Sequence, residues 1–193
     1  MPRRILTAFG LVAGLVAGPA LAASGDLAVP GWRAGPPAEA TLEAPQRYDC
    51  TGPACPSAGL SCLYAVAPPR PAGSRWLSAE DVMNPDVMPW ADYEVWLAGA
   101  ARQLKPALAS DPSRSGFAER GVPALQALGG RDVVRRDYGL RTRAGYLAMP
   151  AFLWGAKGRL YTLACATAPE ARQAARIPMI GLIEALAVLE PDE

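Results

Sequence analysis

From Gly130 onward the apolar positions recur with a period of two, so that Arg131 to Tyr138, Arg143 to Trp154 and Arg159 to Ala166 read as three successive strands. Gly155-Ala-Lys-Gly158 has the length of a hairpin turn between the last two. On the final strand the alternation sends Tyr161, Leu163 and Cys165 to one face and Thr162 and Ala164 to the other. The rhythm then becomes helical. Thr167-Ala-Pro-Glu170 predicts a capping box, with Thr167 as the cap and Glu170 reaching back. Met179, Leu182, Ile183, Leu186 and Leu189 predict the buried face of a helix running to about Leu189. Pro178 falls inside that helix and predicts a kink, or a junction of two shorter helices, because its ring removes a backbone donor.

The earlier chain is less regular. Asp26-Leu-Ala-Val-Pro-Gly-Trp32 reads as a short strand entering a Pro-Gly turn, and Ala44 to Cys50 as a second extended piece. Leu60 to Val66 alternates as a strand and forms a hairpin with that piece, their wide connection carrying cysteines. Residues 67–74 are a Pro-rich connector, and Ser78-Ala-Glu-Asp81 has the form of a helix N-terminal cap. A main helix is predicted from near Pro89, with Trp90, Tyr93, Leu97, Ala100 and Leu104 on one face until Pro106 stops it. That stripe reads as a core face, the alternative being an aromatic cluster that stacks on a cofactor. Residues 109–121 are polar, with Gly and Pro, and read as a mobile surface loop. The elements together predict an α+β fold, an antiparallel β-sheet with helices packed on its faces (an αβα sandwich), in a single domain over residues 23–193.

The first 22 residues do not belong to that domain. Arg3 and Arg4 precede an apolar core from Ile5 to Val16, and Ala20-Leu21-Ala22 supplies small residues for a signal peptidase. The run is too short to span a bilayer and is weakened as a helix by Gly10, Gly14 and Gly18; no second apolar stretch of about 18 residues follows. A cleaved leader is therefore expected, with Ala23 as the mature N-terminus, no lipid-bearing cysteine, no transmembrane segment after cleavage, and a periplasmic or secreted location.

Removing Arg3 and Arg4 from the 19 basic residues leaves 17 against 18 acidic ones, a formal net charge of −1. So even a balance exerts no long-range pull on nucleic acid. The chain contains no histidine. This excludes Ser-His-Asp, Cys-His and His-metal chemistries, and no set of other residues amounts to a catalytic site or calls for a cofactor. Four cysteines, Cys50, Cys55, Cys62 and Cys165, fit two disulfides in an exported chain, with three connectivities open. The pairing Cys50 with Cys55 and Cys62 with Cys165 is favoured, the first across a tight Gly-Pro loop and the second between two strands. A zinc site would want paired C-x2-C knuckles, which C-x4-C-x6-C lacks.

Arg131, Arg135, Arg136, Arg141 and Arg143 place five guanidiniums within thirteen residues, a candidate patch for an anion or an anionic partner. Asp132 and Asp137 are interleaved, so a solvated face with local ion pairs is the competing reading. On either reading the fold is expected to tolerate Gln at Arg135, Arg136 and Arg141. Two methionines among carboxylates, from Asp81 to Trp90 with Asp92 and Glu94 beyond, would suit soft metal only weakly, and capping of the helix is the plainer role.

Val29-Pro-Gly-Trp32, the hairpin from Tyr146 to Cys165 and Leu160-Tyr-Thr-Leu-Ala-Cys-Ala-Thr-Ala-Pro169 before the closing helix resemble the exported PsbP-like and DcrB-like proteins. The resemblance implies an antiparallel sheet with helices on its faces and an accessory or binding role in a larger assembly, with no shared catalytic residues. The cysteine loop from 50 to 62 departs from that pattern. The expected function is thus an exported, non-catalytic accessory or binding protein with a protein partner. The alternative is a thiol-disulfide redox protein using the Cys50/Cys55/Cys62 loop.

Overall fold

The computed structural model describes residues 29–36, 38–68, 78–104, 116–142, 145–156 and 158–188. The leader, most of the Pro-rich connector, Pro106, Arg143, Lys157 and Leu189 lie outside them. In chain order the elements are β1 Trp32–Ala34, β2 Gln46–Cys50, β3 Leu60–Val66, α1 Ala79–Met83, α2 Trp90–Leu104, β4 Phe117–Arg120, β5 Ala124–Leu128, β6 Arg131–Thr142, β7 Gly145–Ala156, β8 Arg159–Thr167 and α3 Arg172–Val188. A 3-10 turn, Pro169–Ala171, leads into α3.

The eight strands form one sheet in the order β1-β2-β3-β8-β7-β6-β4, with β5 also on β6, and every pairing is antiparallel. The last strand of the chain therefore lies in the middle of the sheet. It meets β3 in seven registered pairs from Leu60↔Thr167 to Val66↔Tyr161, and this seam joins the first three strands to the last three. β7 and β8 are buried over most of their length, as strands covered on both faces must be.

Alternation along those strands divides the interior in two. On one face Leu63, Ala151, Leu153, Ala164 and Ala166 pack with Leu97, Ala100, Ala101 and Leu104 of α2 and Val82 of α1. On the other, Cys62, Tyr64, Phe152, Trp154, Leu163 and Cys165 pack with Ala175, Met179, Leu182, Ile183 and Leu186 of α3. The result is an α+β arrangement with helices on both faces of an antiparallel sheet. At the start of α1, Ser78 Oγ accepts from the Asp81 N–H at 3.2 Å while Asp81 Oδ2 accepts from the Ser78 N–H at 2.9 Å, a reciprocal capping box.

Several boundaries differ from the sequence reading, each for a local reason. A strand, Trp32–Ala34, follows the Pro30-Gly31 turn, and the extended piece expected from Asp26 to Ala28 lies outside the described residues. Thr167 is no helix cap: it ends β8, and its hydroxyl donates to the Gly59 carbonyl at 2.9 Å, tying the strand to the turn before β3. The cap position falls on Ala168, without a side-chain bond, and Pro169 occupies the first turn, where its missing N–H costs nothing. Pro178 does not divide the closing helix, since α3 runs unbroken from Arg172 to Val188. The burial of Met179, Leu182, Ile183 and Leu186 on the sheet offsets the hydrogen bond that the proline removes.

The stretch read as a loop over 109–121 contains β4, and β5 follows where no strand was expected. Both lie on the same edge of β6, β4 beside Tyr138–Leu140 and β5 beside Arg131–Arg135. Phe117 is the only buried residue of β4, so its pattern carries almost no alternation. β5 turns into β6 through Gly129 and Gly130, whose φ angles of 59° and 75° need residues free of Cβ strain. β6 itself continues past Tyr138 to Thr142, so Arg141 belongs to it. The β7–β8 strands close in to Ala156 and Arg159, shortening the expected four-residue turn.

Candidate functional site

Trp90, Tyr93 and Trp96 follow one another at helical spacing at the start of α2, and the helix lays them across the upper end of the sheet. Tyr93 is buried, and its hydroxyl lies 2.8 Å from Thr162 Oγ1 on β8, a residue whose alternation faces it toward α2. Trp96 donates from Nε1 to the Leu42 carbonyl at 2.8 Å, which fixes its indole, and the Tyr93 and Trp96 rings are 5.5 Å apart at 31°. Each ring is thus held by its own polar atom, leaving the apolar faces to line space rather than fill it.

That space is a pocket of about 340 Å³. Its walls come from Leu42, Val87, Met88, Trp96 and Leu160, and Tyr93 and Thr162 also line it. Asp92 and Arg159 line it too and are solvent-exposed, so charge sits at its mouth. Burial pushes the Tyr93 phenol well above its usual range, with the Thr162 bond opposing in part, so the floor stays neutral at any physiological pH. Among the described residues the lining contains no cysteine, serine or lysine and a single carboxylate. The sequence reading found Tyr93 through the apolar stripe but missed Trp96, Leu160 and Thr162. Trp96 sits off the stripe, and Leu42, Leu160 and Trp96 meet only through pairings distant in sequence.

The arginines divide between the two faces. Arg131, Arg135 and Arg141 share one face of β6, where ten residues span about 33 Å, so they do not converge on one small anion. Arg135 is paired with Asp137 at 3.0 Å and lies over the Phe152 ring at 5.8 Å. Arg141 is exposed, and Arg143 lies outside the described residues. Arg136 is on the opposite face, under α2. Its Nε donates to the Gly121 carbonyl at 2.9 Å, Nη1 is 3.6 Å from Glu94, and the guanidinium stands 4.6 Å from the Trp90 ring centre and 5.1 Å from that of Tyr138. Glu94 also accepts from Arg120 Nε at 2.8 Å. Arg136 is therefore a clamp between helix and sheet edge with 14% of its side chain exposed, and the expected tolerance of Gln at this position does not fit its surroundings.

The cysteines form two bonds, Cys50–Cys55 and Cys62–Cys165, with Cα separations of 5.7 and 4.0 Å. Cys62 and Cys165 face each other in the β3–β8 register and are fully buried, so the second bond crosslinks the central seam. The first staples the end of β2 to its loop. That loop leans on the turn before β1, where the Thr51 and Gly52 N–H groups both donate to the Gly31 carbonyl at 2.8 and 3.0 Å. A Cβ on Gly52 would lie 2.7 Å from the Gly31 Cα, so only glycine allows this approach. No helix begins behind Cys55. Among the described residues no cluster of three or more His, Cys, Asp or Glu side chains is disposed to hold a metal, and no helix is long and apolar enough to cross a membrane.

No family model matches the chain, and no curated protein matches it. Among solved structures it is similar to LpqN, described as involved in cell envelope biogenesis of Mycobacterium tuberculosis, at 14% identity over 83% of this chain and 75% of that one, with a TM-score of 0.38. No residue role is carried over from that protein.

Proposed function

We propose that this chain is an exported, non-catalytic binding protein that holds a small apolar ligand between α2 and the start of β8. On this reading it serves as an accessory to a larger periplasmic or membrane-associated assembly, as the PsbP-like and DcrB-like resemblance would have it. The observation that carries the reading is the pocket whose two aromatic walls are pinned by the Tyr93–Thr162 and Trp96–Leu42 hydrogen bonds. A site held open in this way loses little freedom when a ligand enters. Two disulfides fit an oxidising compartment, and the leader-like first 22 residues supply a route to it.

The test is extraction of small molecules from the protein purified from its own host, beside Leu160→Trp, whose indole would occupy the cavity. A molecule retained by the natural chain and absent from the variant supports the proposal. Identical extracts from the two proteins overturn it. Intact mass of the exported protein should give Ala23 as its first residue.

The redox alternative narrows to Cys50–Cys55, because Cys62–Cys165 is closed to solvent. A free-thiol count after mild reductant separates the readings: a pair reduced at once under native conditions favours redox exchange, and resistance favours a staple. Arg131, Arg135 and Arg141 on one face of β6 remain a proposed partner patch. Salt-sensitive capture of the native partner, weakened by Arg141→Gln, would support it.

A further inference from the structure

The floor of the pocket carries an unused hydrogen. Tyr93 and Thr162 bring two hydroxyl protons to a single bond, 2.8 Å long, and whichever group donates, the other keeps an O–H with no acceptor among the described residues. Both side chains are almost wholly buried and both line the cavity. A buried donor without an acceptor is costly, so the cavity is chemically incomplete unless something in it offers an oxygen or nitrogen lone pair. The rest of the lining narrows the chemistry. Leu42, Met88, Trp96 and Leu160 offer only apolar surface within, while Asp92 and Arg159 stay in solvent, so an ion driven to the floor would lose its hydration with nothing to replace it. The elevated phenol pKa keeps the floor from accepting a cation by ionising.

We infer that the pocket takes a neutral, largely apolar molecule carrying one hydrogen-bond acceptor at its buried end, a ketone, ester or ether, which receives the spare proton of the Tyr93–Thr162 pair. The inference rests on the binding role proposed above and adds the ligand class to it. A volume of about 340 Å³ admits a body of one or two fused rings or an equivalent branched aliphatic. The flat Trp96 face favours the ring.

The probes are 2-acetylnaphthalene and its near-isostere 2-isopropylnaphthalene, titrated calorimetrically into the oxidised full chain. The ketone should bind about tenfold more tightly than the hydrocarbon, the worth of one net hydrogen bond. In Tyr93→Phe/Thr162→Val both hydroxyls are replaced by apolar groups of similar shape, so no orphan is created. There the ketone should lose its advantage while the hydrocarbon binds as before. Leu160→Trp should abolish both.

Equal affinities in the natural chain, or a ketone advantage that survives the double substitution, would overturn the acceptor assignment and leave the pocket standing. Failure of both probes to bind, or binding that survives Leu160→Trp, would overturn the pocket itself as a ligand site.

Discussion

The two faces of the sheet are built from the same strands and do opposite things. Under α3 the interior is aromatic: Tyr64, Trp154 and Tyr161 lie in a near-parallel array with centroids 5.7 to 6.5 Å apart, closed over by Met179, Leu182, Ile183 and Leu186 and crossed by the Cys62–Cys165 bond. Under α2 polar groups enter the packing: Arg136 lies between two rings, Tyr93 and Thr162 bond one another, and a cavity is left open at one end. The first face carries the crosslink and the closed aromatic packing, and the second keeps the cavity. Voids and buried polar groups are costly wherever they occur, and a fold can sustain them where the opposite side supplies the excess.

Substitutions that remove the α3-side crosslink should have the largest effect. Cys62→Ser/Cys165→Ser opens a covalent loop of 103 residues and, in the chain-entropy model, should lower stability by about 4 to 5 kcal/mol, against about 2 for Cys55→Ser with its short loop. Urea unfolding of the variants measures the difference, and equal losses would break the contrast between seam and staple. Next, Leu182→Ala on the closed face should cost about 2 to 5 kcal/mol through transfer and cavity terms, while Leu160→Ala at the half-open pocket should cost less than half as much in the same assay.

Arg136→Gln should cost about 1 to 3 kcal/mol, because it removes a charge-assisted contact and two ring contacts at a largely covered site. Arg141→Gln, at an exposed position, should fall within about 0.5 kcal/mol. A melting curve for each is enough, and matched values would return Arg136 to the solvated set.

The smallest effect concerns Asp49 on β2. Desolvation raises its pKa, but hydrogen bonds from Arg47 and Ser61, with the Arg47 and Arg33 charges, prevail and hold it below the ordinary carboxylate value. A lowered folded pKa means that its contribution is present above the unfolded pKa, near 4, and is lost as pH falls through the folded one. Asp49→Asn should therefore lower stability modestly at neutral pH, with the difference from the natural chain vanishing as pH falls through the folded pKa, so urea unfolding at several pH values should show a flatter acid limb.

How much of this was legible depended on how local the signal was. The strands from Arg131 to Ala166 and the faces of β8 followed from alternation, because β6, β7 and β8 pair in sequence order, and β7 and β8 are covered on both faces. The stripe from Tyr93 to Leu104 followed from helical periodicity, and Ser78 from its cap. β4 and β5 were missed since an exposed edge leaves one buried side chain and no contrast to read. Thr167 was misassigned because a hydroxyl before a helix looks like a cap until the Gly59 carbonyl, 108 residues away, is brought to it. The pocket failed for the same reason: Leu42, Trp96 and Leu160 carry no mark of one another until the segment between β1 and β2, α2 and β8 are assembled. Arg136 was counted among the surface arginines because sequence alternation separates faces without saying which face α2 covers.

The place of β8 in the sheet has a consequence for the order of events as the chain is made. The strand that completes the centre is supplied by the last forty residues, so everything from Trp32 to Ala156 must wait for it before the β3 edge is covered. Throughout that interval Cys62 has only Cys50 and Cys55 within reach, and an oxidant acting early would join it to one of them. The native pairing is then recovered only by thiol exchange after Cys165 arrives. Biogenesis of this protein is accordingly a matter of timing, in which oxidation must either lag behind delivery of the C-terminal end or remain reversible until it comes.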